Sequence, residues 1–260
     1  MLASMKRRDF LRLAAAVGAA PMVRGAARDP GGEVMTVRGR RTAASLGMVL
    51  PHEHVLVDFI GAAEISPARY DAEVALAKIK PFLDEAKALG CVTLCECTPA
   101  YVGRDPRLLL RLSEATGLHL LTNTGYYAAR QNKFLPPHAL AEDANALAAR
   151  WLHEWHEGID GTGVRPGFIK IGMDAGPLSE AARKLVQAAA RTHRASGLTI
   201  AAHTGNQVAA KEELAILQEE GVSAAAWIWV HAQNATDEAA FMDALRRLRR
   251  HLSLRRPRPR

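Results

Sequence analysis

Cysteine is scarce in this chain, and that scarcity excludes a disulfide framework. There are three, Cys91, Cys95 and Cys97, all in one short stretch. An odd number at this spacing does not staple a fold. On a strand the three share one face, where they read as small buried hydrophobes. A thiolate zinc site is the other reading, but such sites usually use C-x₂-C spacing on a turn. Aromatic residues are also few, 5% of 260, and the abundant Ala and Leu suit helices. No Gly-rich phosphate loop is present, no repeat is evident, and no linker-like stretch divides the middle. The length suits one domain of α/β barrel size.

Acidic residues are missing from the C-terminal end. Residues 244–260 hold eight Arg and no Asp or Glu, and residues 1–24 carry a net +4, so the rest holds −5 of the overall +7. The folded body is therefore mildly acidic, and the pI near 9.6 comes from the two ends. A nucleic-acid-binding reading built on pI would rest on the tail alone.

Residues 5–27 begin Met-Lys-Arg-Arg-Asp-Phe-Leu-Arg-Leu, continue with a short Ala-rich apolar stretch and close near Gly25-Ala26-Ala27. That order predicts a secretory signal, and the apolar part is too short to span a membrane stably. Arg7-Arg8-Asp9-Phe10-Leu11 resembles the twin-arginine export motif. The expected location is periplasmic or secreted, with residues 1–27 removed. An amphipathic first helix is the competing reading.

Apolar runs predict strands at 47–54, 91–97, 118–124, 167–171, 198–203 and 226–231. Continuous apolar runs are expected of parallel strands buried on both faces. Helical periodicity falls between them at 71–89, 105–116, 140–157, 179–196 and 211–220, closed in turn by Gly90, Gly117, Gly158, Gly197 and Gly221. Pro106 suits a first helical position and Ser179 an N-cap. Strand alternating with helix predicts a parallel barrel or a doubly wound sheet. A sixth helix is expected at 236–250, but after Asp243 the composition turns Arg-rich and nothing resembles a buried strand.

Chemistry-bearing residues recur where these runs end, which is where parallel α/β barrels keep their active sites. His52 and His54 are two apart, so on a strand both project from one face and can share a cation at ~2.0–2.1 Å. Lys170 lies inside Gly-Phe-Ile-Lys-Ile-Gly, where an unpaired buried ammonium costs several kcal/mol. It either snorkels at a strand end or loses its charge in a site. His203 and His231 each end an apolar run, and either alone could be a core histidine satisfied by backbone. Their alignment with His52, His54 and Lys170 across four strands points to one metal centre. The run from Cys91 to Thr98 carries Glu96 but no evident ligand. His153-Glu154-Trp155-His156 is a near miss for H-E-x-x-H, with its histidines at i and i+3 where the metal geometry needs i and i+4, so it is not read as a metal site. His119, His138, His193 and His251 show no partner pattern.

The stretches Leu50-Pro51-His52-Glu53-His54, Gly103-Arg104-Asp105, Thr124-Gly125-Tyr126, Gly167-Phe168-Ile169-Lys170, Ala202-His203-Thr204-Gly205 and Val230-His231, in that order, resemble the phosphotriesterase family of the amidohydrolase superfamily. The resemblance implies a (β/α)₈ TIM barrel holding two divalent metals, commonly zinc, with Mn, Co or Fe as alternatives. It implies that His52 and His54 bind the more buried metal, that His203 and His231 bind the second, and that Lys170, carbamylated by CO₂, bridges both. It implies hydrolysis of ester, lactone or phosphotriester bonds by a metal-bridging hydroxide. Tyr126 and Tyr127 are expected in the substrate pocket, with barrel-rim packing as the even alternative. The family places an Asp at the end of strand eight, and Asp237 and Asp243 do not match that position. The expectation is a barrel with about six of eight strands (28–243) and an aberrant Arg-rich tail (244–260). Expected partners are a small ester, lactone or organophosphate, the export machinery and, in a homodimer, a second copy. Nucleic acid is not expected. Two other classes stand beside this reading: a remnant that binds metal without turnover, and a protein using its basic tail on anionic surfaces.

Overall fold

The computed structural model describes residues 32–232. The expected leader at 1–27, the helix at 236–250, Asp237, Asp243 and the tail at 244–260 lie outside the described residues.

The chain opens with an antiparallel hairpin, β1 (Glu33–Thr36) and β2 (Gly39–Thr42). This hairpin was not expected, because its second strand, Gly-Arg-Arg-Thr, has no apolar run. It is tied to the main sheet by Val37 N–H donating to Leu120 O at 2.8 Å. Parallel strands follow: β3 (Met48–Glu53), β4 (Cys91–Glu96), β5 (His119–Leu121), β6 (Asn123–Thr124), β7 (Phe168–Met173), β8 (Ile200–Thr204) and β9 (Trp227–Val230). They form a three-stranded sheet, β3-β4-β5, and a four-stranded sheet, β6-β7-β8-β9. The single strand expected at 118–124 is thus two. Thr122 falls between them, β5 pairs with β4, and β6 pairs with β7. Among the described residues the strands do not close into a barrel.

Helices α1 (Ala72–Ala88), α2 (Pro106–Thr116), α3 (Pro137–Ala141), α4 (Ala144–Glu157), α5 (Glu180–Ser196) and α6 (Gln207–Glu219) lie between the strands. Their starts follow capping chemistry. Asp71, Asp105, Asp143, Ser179 and Asn206 each accept from backbone N–H groups of the first turn. Two boundaries differ from expectation for this reason. Asp143 starts a new helix inside the 140–157 segment, and Asn206 starts α6 before Lys211.

Period-two alternation divides the side chains of the strands into two layers. Ile169, Ile171, Ile200 and Ala202 face the helices, in a core with Leu147, Trp151, Leu185 and Trp229. Leu94 and Leu120 do the same on the other sheet, against Leu83, Leu108 and Leu112. The opposite layer gathers Cys97, Leu121, Phe168, Ala201 and Val230, with Cys95 partly buried beside them. All three cysteines are free thiols, but Cys91 joins the helix-side cluster, so they do not share one environment. Burial pushes Cys95 up to about 11 and Cys97 up to about 12, so both are protonated, as inert buried hydrophobes are.

The expectation of strands buried on both faces holds for β7, every residue of which is buried. It fails at the outer strands. Met48 is 44% and Val49 37% exposed on β3, and Ile228 is 52% exposed on β9. The physical reason is position: each of these strands has one paired neighbour among the described residues.

Candidate metal centre

The register brings the marked residues to one end of the parallel strands. Lys170 pairs with Ala201, and Gly172 with His203, so Lys170 and His203 both lie on the layer away from the helices. His52 is in β3, His54 directly follows it, and His231 directly follows β9. His231 has φ 68°, a left-handed conformation that costs a non-glycine residue about 1–3 kcal/mol. Its ring nevertheless lies 4.8 Å from that of His52 and 4.9 Å from that of His203, centroid to centroid. His52 and His54 are 5.0 Å apart. With Lys170, the four histidines line one cavity of about 440 Å³.

The electrostatics suit a cation site. Burial, with the nearby Lys170 cation as the next cause, lowers His52 to about 3, and His54 and His203 each to about 4. His231 is lowered for the same two reasons. All four rings are therefore neutral at pH 7, which is the form that ligates metal. Lys170 is 1% exposed, and its Nζ has no hydrogen-bond partner. Burial lowers it to about 8, against smaller opposing effects from Cys97, Glu213 and Glu96. Among the described residues, no three His, Cys, Asp or Glu side chains converge tightly enough to hold an ion by themselves. The donor set still fits a cation pair, because an orphaned buried amine among four neutral imidazoles lacks a partner that only a further group would supply.

The two tyrosines separate. The Tyr127 ring lies 5.2 Å from that of His203 and lines the cavity. It can do so because Gly172 has no side chain: a Cβ there would stand 2.1 Å from Tyr127 Cδ2. Tyr126, expected beside it, does not line this cavity. Its hydroxyl is 3.0 Å from His138 Nε2, and its ring packs edge-on against Tyr101 and Trp151. It borders a second cavity, of about 340 Å³, with Tyr70, Arg104 and Glu154. Adjacent residues at a strand end face opposite ways, so one of the pair had to leave the pocket. His153 and His156 are exposed on α4.

Several wall residues carried no sequence signal. Phe59, Val102, Arg130 and Asp174 line the same cavity as the histidines. Asp174 accepts from the backbone N–H groups of Arg130 (2.8 Å) and Gln131 (2.9 Å). Arg130, Gln131 and Asn132 all have positive φ, a conformation that few sequences announce.

Known proteins share this fold. The model of the phosphotriesterase family matches residues 32–248. The phosphotriesterase homology protein of Escherichia coli is 32% identical over 177 residues, covering 68% of this chain and 59% of that protein. The chain thus spans 59% of the length of that relative. The organophosphorus hydrolase structure from Deinococcus radiodurans superposes with a TM-score of 0.70 at 31% identity, over 87% of this chain and 68% of that one. A mutant PTE-like lactonase structure from the same organism gives 0.70 and 31%, over 84% and 67%. With the family match running through every strand that carries a cavity histidine, the chain belongs to the phosphotriesterase family.

Proposed function

We propose that this protein is a divalent-metal-dependent hydrolase of ester, lactone or phosphotriester bonds, built on the strands of a (β/α)₈ barrel. One observation carries the reading: the orphaned, buried Lys170 amine faces the same cavity as four neutral histidines. His52 and His54 would hold one cation and His203 and His231 the other, with Lys170 between them. Zinc suits imidazole donors, and Mn, Co or Fe are the alternatives. Two cations held there would supply Lewis acidity toward the carbonyl or phosphoryl oxygen of the substrate and toward a water molecule.

The chain's own residues supply the rest. Because burial lowers it to about 8, Lys170 exchanges readily between ammonium and neutral amine near physiological pH. That nitrogen can add to CO₂, forming an N–C bond and releasing one proton, and the resulting carbamate has two oxygens. A lysine with no hydrogen-bond partner gains a role in that form. Tyr127, Phe59 and Val102 supply a mostly apolar wall, which suits a small neutral substrate. The names of the structural neighbours, organophosphorus hydrolase and lactonase, fall in the same substrate classes.

A second reading, metal binding without turnover, is favoured by one feature. Among the described residues lining the cavity, Asp174 is the carboxylate, and both its oxygens are engaged by backbone N–H groups. Among the described residues, no second, unengaged carboxylate lines the cavity to share the work of accepting a proton. Zinc titration with a panel of lactones, aryl esters and phosphotriesters separates the two. We expect uptake of about two equivalents, and about 2.7 kcal/mol of added stability per site at zinc one hundredfold above its dissociation constant. Turnover supports the hydrolase, uptake without turnover supports the second reading, and a chain that takes up no divalent metal overturns both.

Export to the periplasm or medium belongs to the same proposal and rests on residues 5–27 alone. Changing Arg7 and Arg8 together to Lys is expected to stop export, as fractionation of expressing cells would show. Unchanged export removes the twin-arginine reading.

A further inference from the structure

Glu96 is a buried carboxyl group that the proposed hydrolysis does not use. It is 1% exposed, at the end of β4. Burying a carboxylate is costly unless it is hydrogen-bonded, and here three groups converge on it. Thr98 Oγ1 lies 2.5 Å from Oε1, Thr98 N–H donates to Oε2 at 3.2 Å, and Val55 N–H donates to Oε1 at 3.4 Å. Backbone N–H groups can only donate, so the carboxyl oxygens are set up as acceptors, and these donors work against the burial that raises Glu96 to about 8.

The Thr98 hydroxyl also lies 2.8 Å from Nδ1 of His54. A hydroxyl has one proton to give and two lone pairs. If that proton goes to Glu96, the Thr98 oxygen faces His54 as an acceptor, and Nδ1 must bring the proton. A neutral imidazole carries only one, so Nε2 keeps its lone pair. The backbone of this segment is held as well. Asn123 Nδ2, from β6, donates to both Glu96 O and Thr98 O at 3.0 Å. Cys97 N–H, between them, donates to Glu53 O at 2.7 Å, which joins the segment to the strand that precedes His54.

We propose that Glu96 and Thr98 are positioning residues that hold His54 as its Nδ1–H tautomer and leave Nε2 free to ligate. The tautomer follows once the Thr98 hydroxyl gives its proton to the ionised Glu96. Its consequence for metal uptake rests on the reading of His54 as a ligand. An outer partner on the non-ligating nitrogen orients a metal-binding histidine and raises its basicity. Here a hydroxyl stands between carboxylate and ring, so the carboxylate acts through one intermediate group.

The test uses the full 260-residue chain, metal-free, labelled with ¹⁵N-histidine and held above pH 8, where Glu96 is ionised. Two-bond ¹H–¹⁵N spectra read the tautomer, and His54→Asn identifies the His54 signals by their loss. The wild type and Thr98→Ser should show His54 protonated on Nδ1. Thr98→Val, which keeps the shape but removes the hydroxyl, should move the population toward Nε2–H and weaken zinc binding about 10–100-fold. If Thr98→Val does not fold, Glu96→Gln is read in its place, because its amide can donate to Thr98 and release the hydroxyl proton to His54. The proposal fails if wild-type His54 carries its proton on Nε2, or if the tautomer in the folded variant is unchanged. It also fails if the tautomer moves while zinc affinity does not. A wild type that takes up no zinc would sink the metal reading, while the spectra still decide the tautomer.

Discussion

Lys170→Met should abolish turnover and make the protein more stable. Methionine keeps the length and apolar stem of the side chain but cannot form a carbamate. Losing the group between the two cations should remove about 4 kcal/mol of transition-state stabilisation, on the order of a thousandfold in rate. The stability change should run the other way. Lys170 Nζ is buried without a partner, and replacing a buried charge with an apolar group of similar volume is often neutral or stabilising, by about 1–4 kcal/mol. The pH dependence separates this from a simple packing effect. Burial lowers the folded-state value of Lys170 to about 8 from 10.5. Between these limits the unfolded chain binds more protons at this site than the folded one, so the wild type gains stability as pH rises. The stability advantage of Lys170→Met over the wild type should therefore be largest below pH 8. It should shrink, by on the order of 3 kcal/mol, as pH rises toward 10.5. Comparing the two proteins cancels the cysteines, whose raised values oppose the trend. Denaturant unfolding in metal-free, CO₂-free buffer at several pH values measures it. A variant that retains hydrolysis, or whose advantage does not change with pH, would refute the account of Lys170.

Arg104→Ala should be the most damaging single change away from the cavity. The Arg104 side chain is 3% exposed, and it grips Glu154 with two hydrogen bonds, at 2.6 and 2.9 Å. It also donates to Asn123 O at 2.7 Å, while Thr124 Oγ1 donates to Glu154 at 2.6 Å. One guanidinium thus joins the segment before α2 to β6 and α4. Removing it leaves a largely buried carboxylate without its charge partner, with the Thr124 hydroxyl still donating to it, a loss of about 3–5 kcal/mol. In a chain of this size that is about 10 °C or more in Tm. The double change Arg104→Met with Glu154→Leu should cost much less, because no charge is stranded. Thermal melts of the three proteins decide the matter. A cost below about 1 kcal/mol for Arg104→Ala would show that water replaces the guanidinium, as at a surface pair.

Much of this molecule could be read from residue order. The cavity histidines follow apolar runs, and a run that ends in a polar residue marks a strand end without any structure. Gly117 and Gly197 close α2 and α5 in left-handed conformations, as glycine after a periodic segment suggests. Lys170 was conspicuous because an ammonium inside a buried strand has a cost that composition alone reveals. Other features left no such mark. The polar hairpin β1–β2 has no periodic apolar pattern, and the break at Thr122 follows from which neighbour each half pairs with.

What the sequence determined by itself is therefore what depends on local periodicity, capping and cost: the alternation of strand and helix, the strand-end ligand candidates and the anomaly at Lys170. What only the tertiary structure decided depends on register and approach between segments far apart in the chain. Tyr126 and Tyr127 are equivalent in the sequence, yet Gly125, at φ 117°, turns the backbone ahead of them, and the bare face of Gly172 admits only the Tyr127 ring. Thr98 meets His54 across 44 residues because β3 and β4 pair in parallel and bring their ends together, Glu53 opposite Glu96. Such contacts are set by how whole strands slide past one another, and no window along a single chain contains both partners.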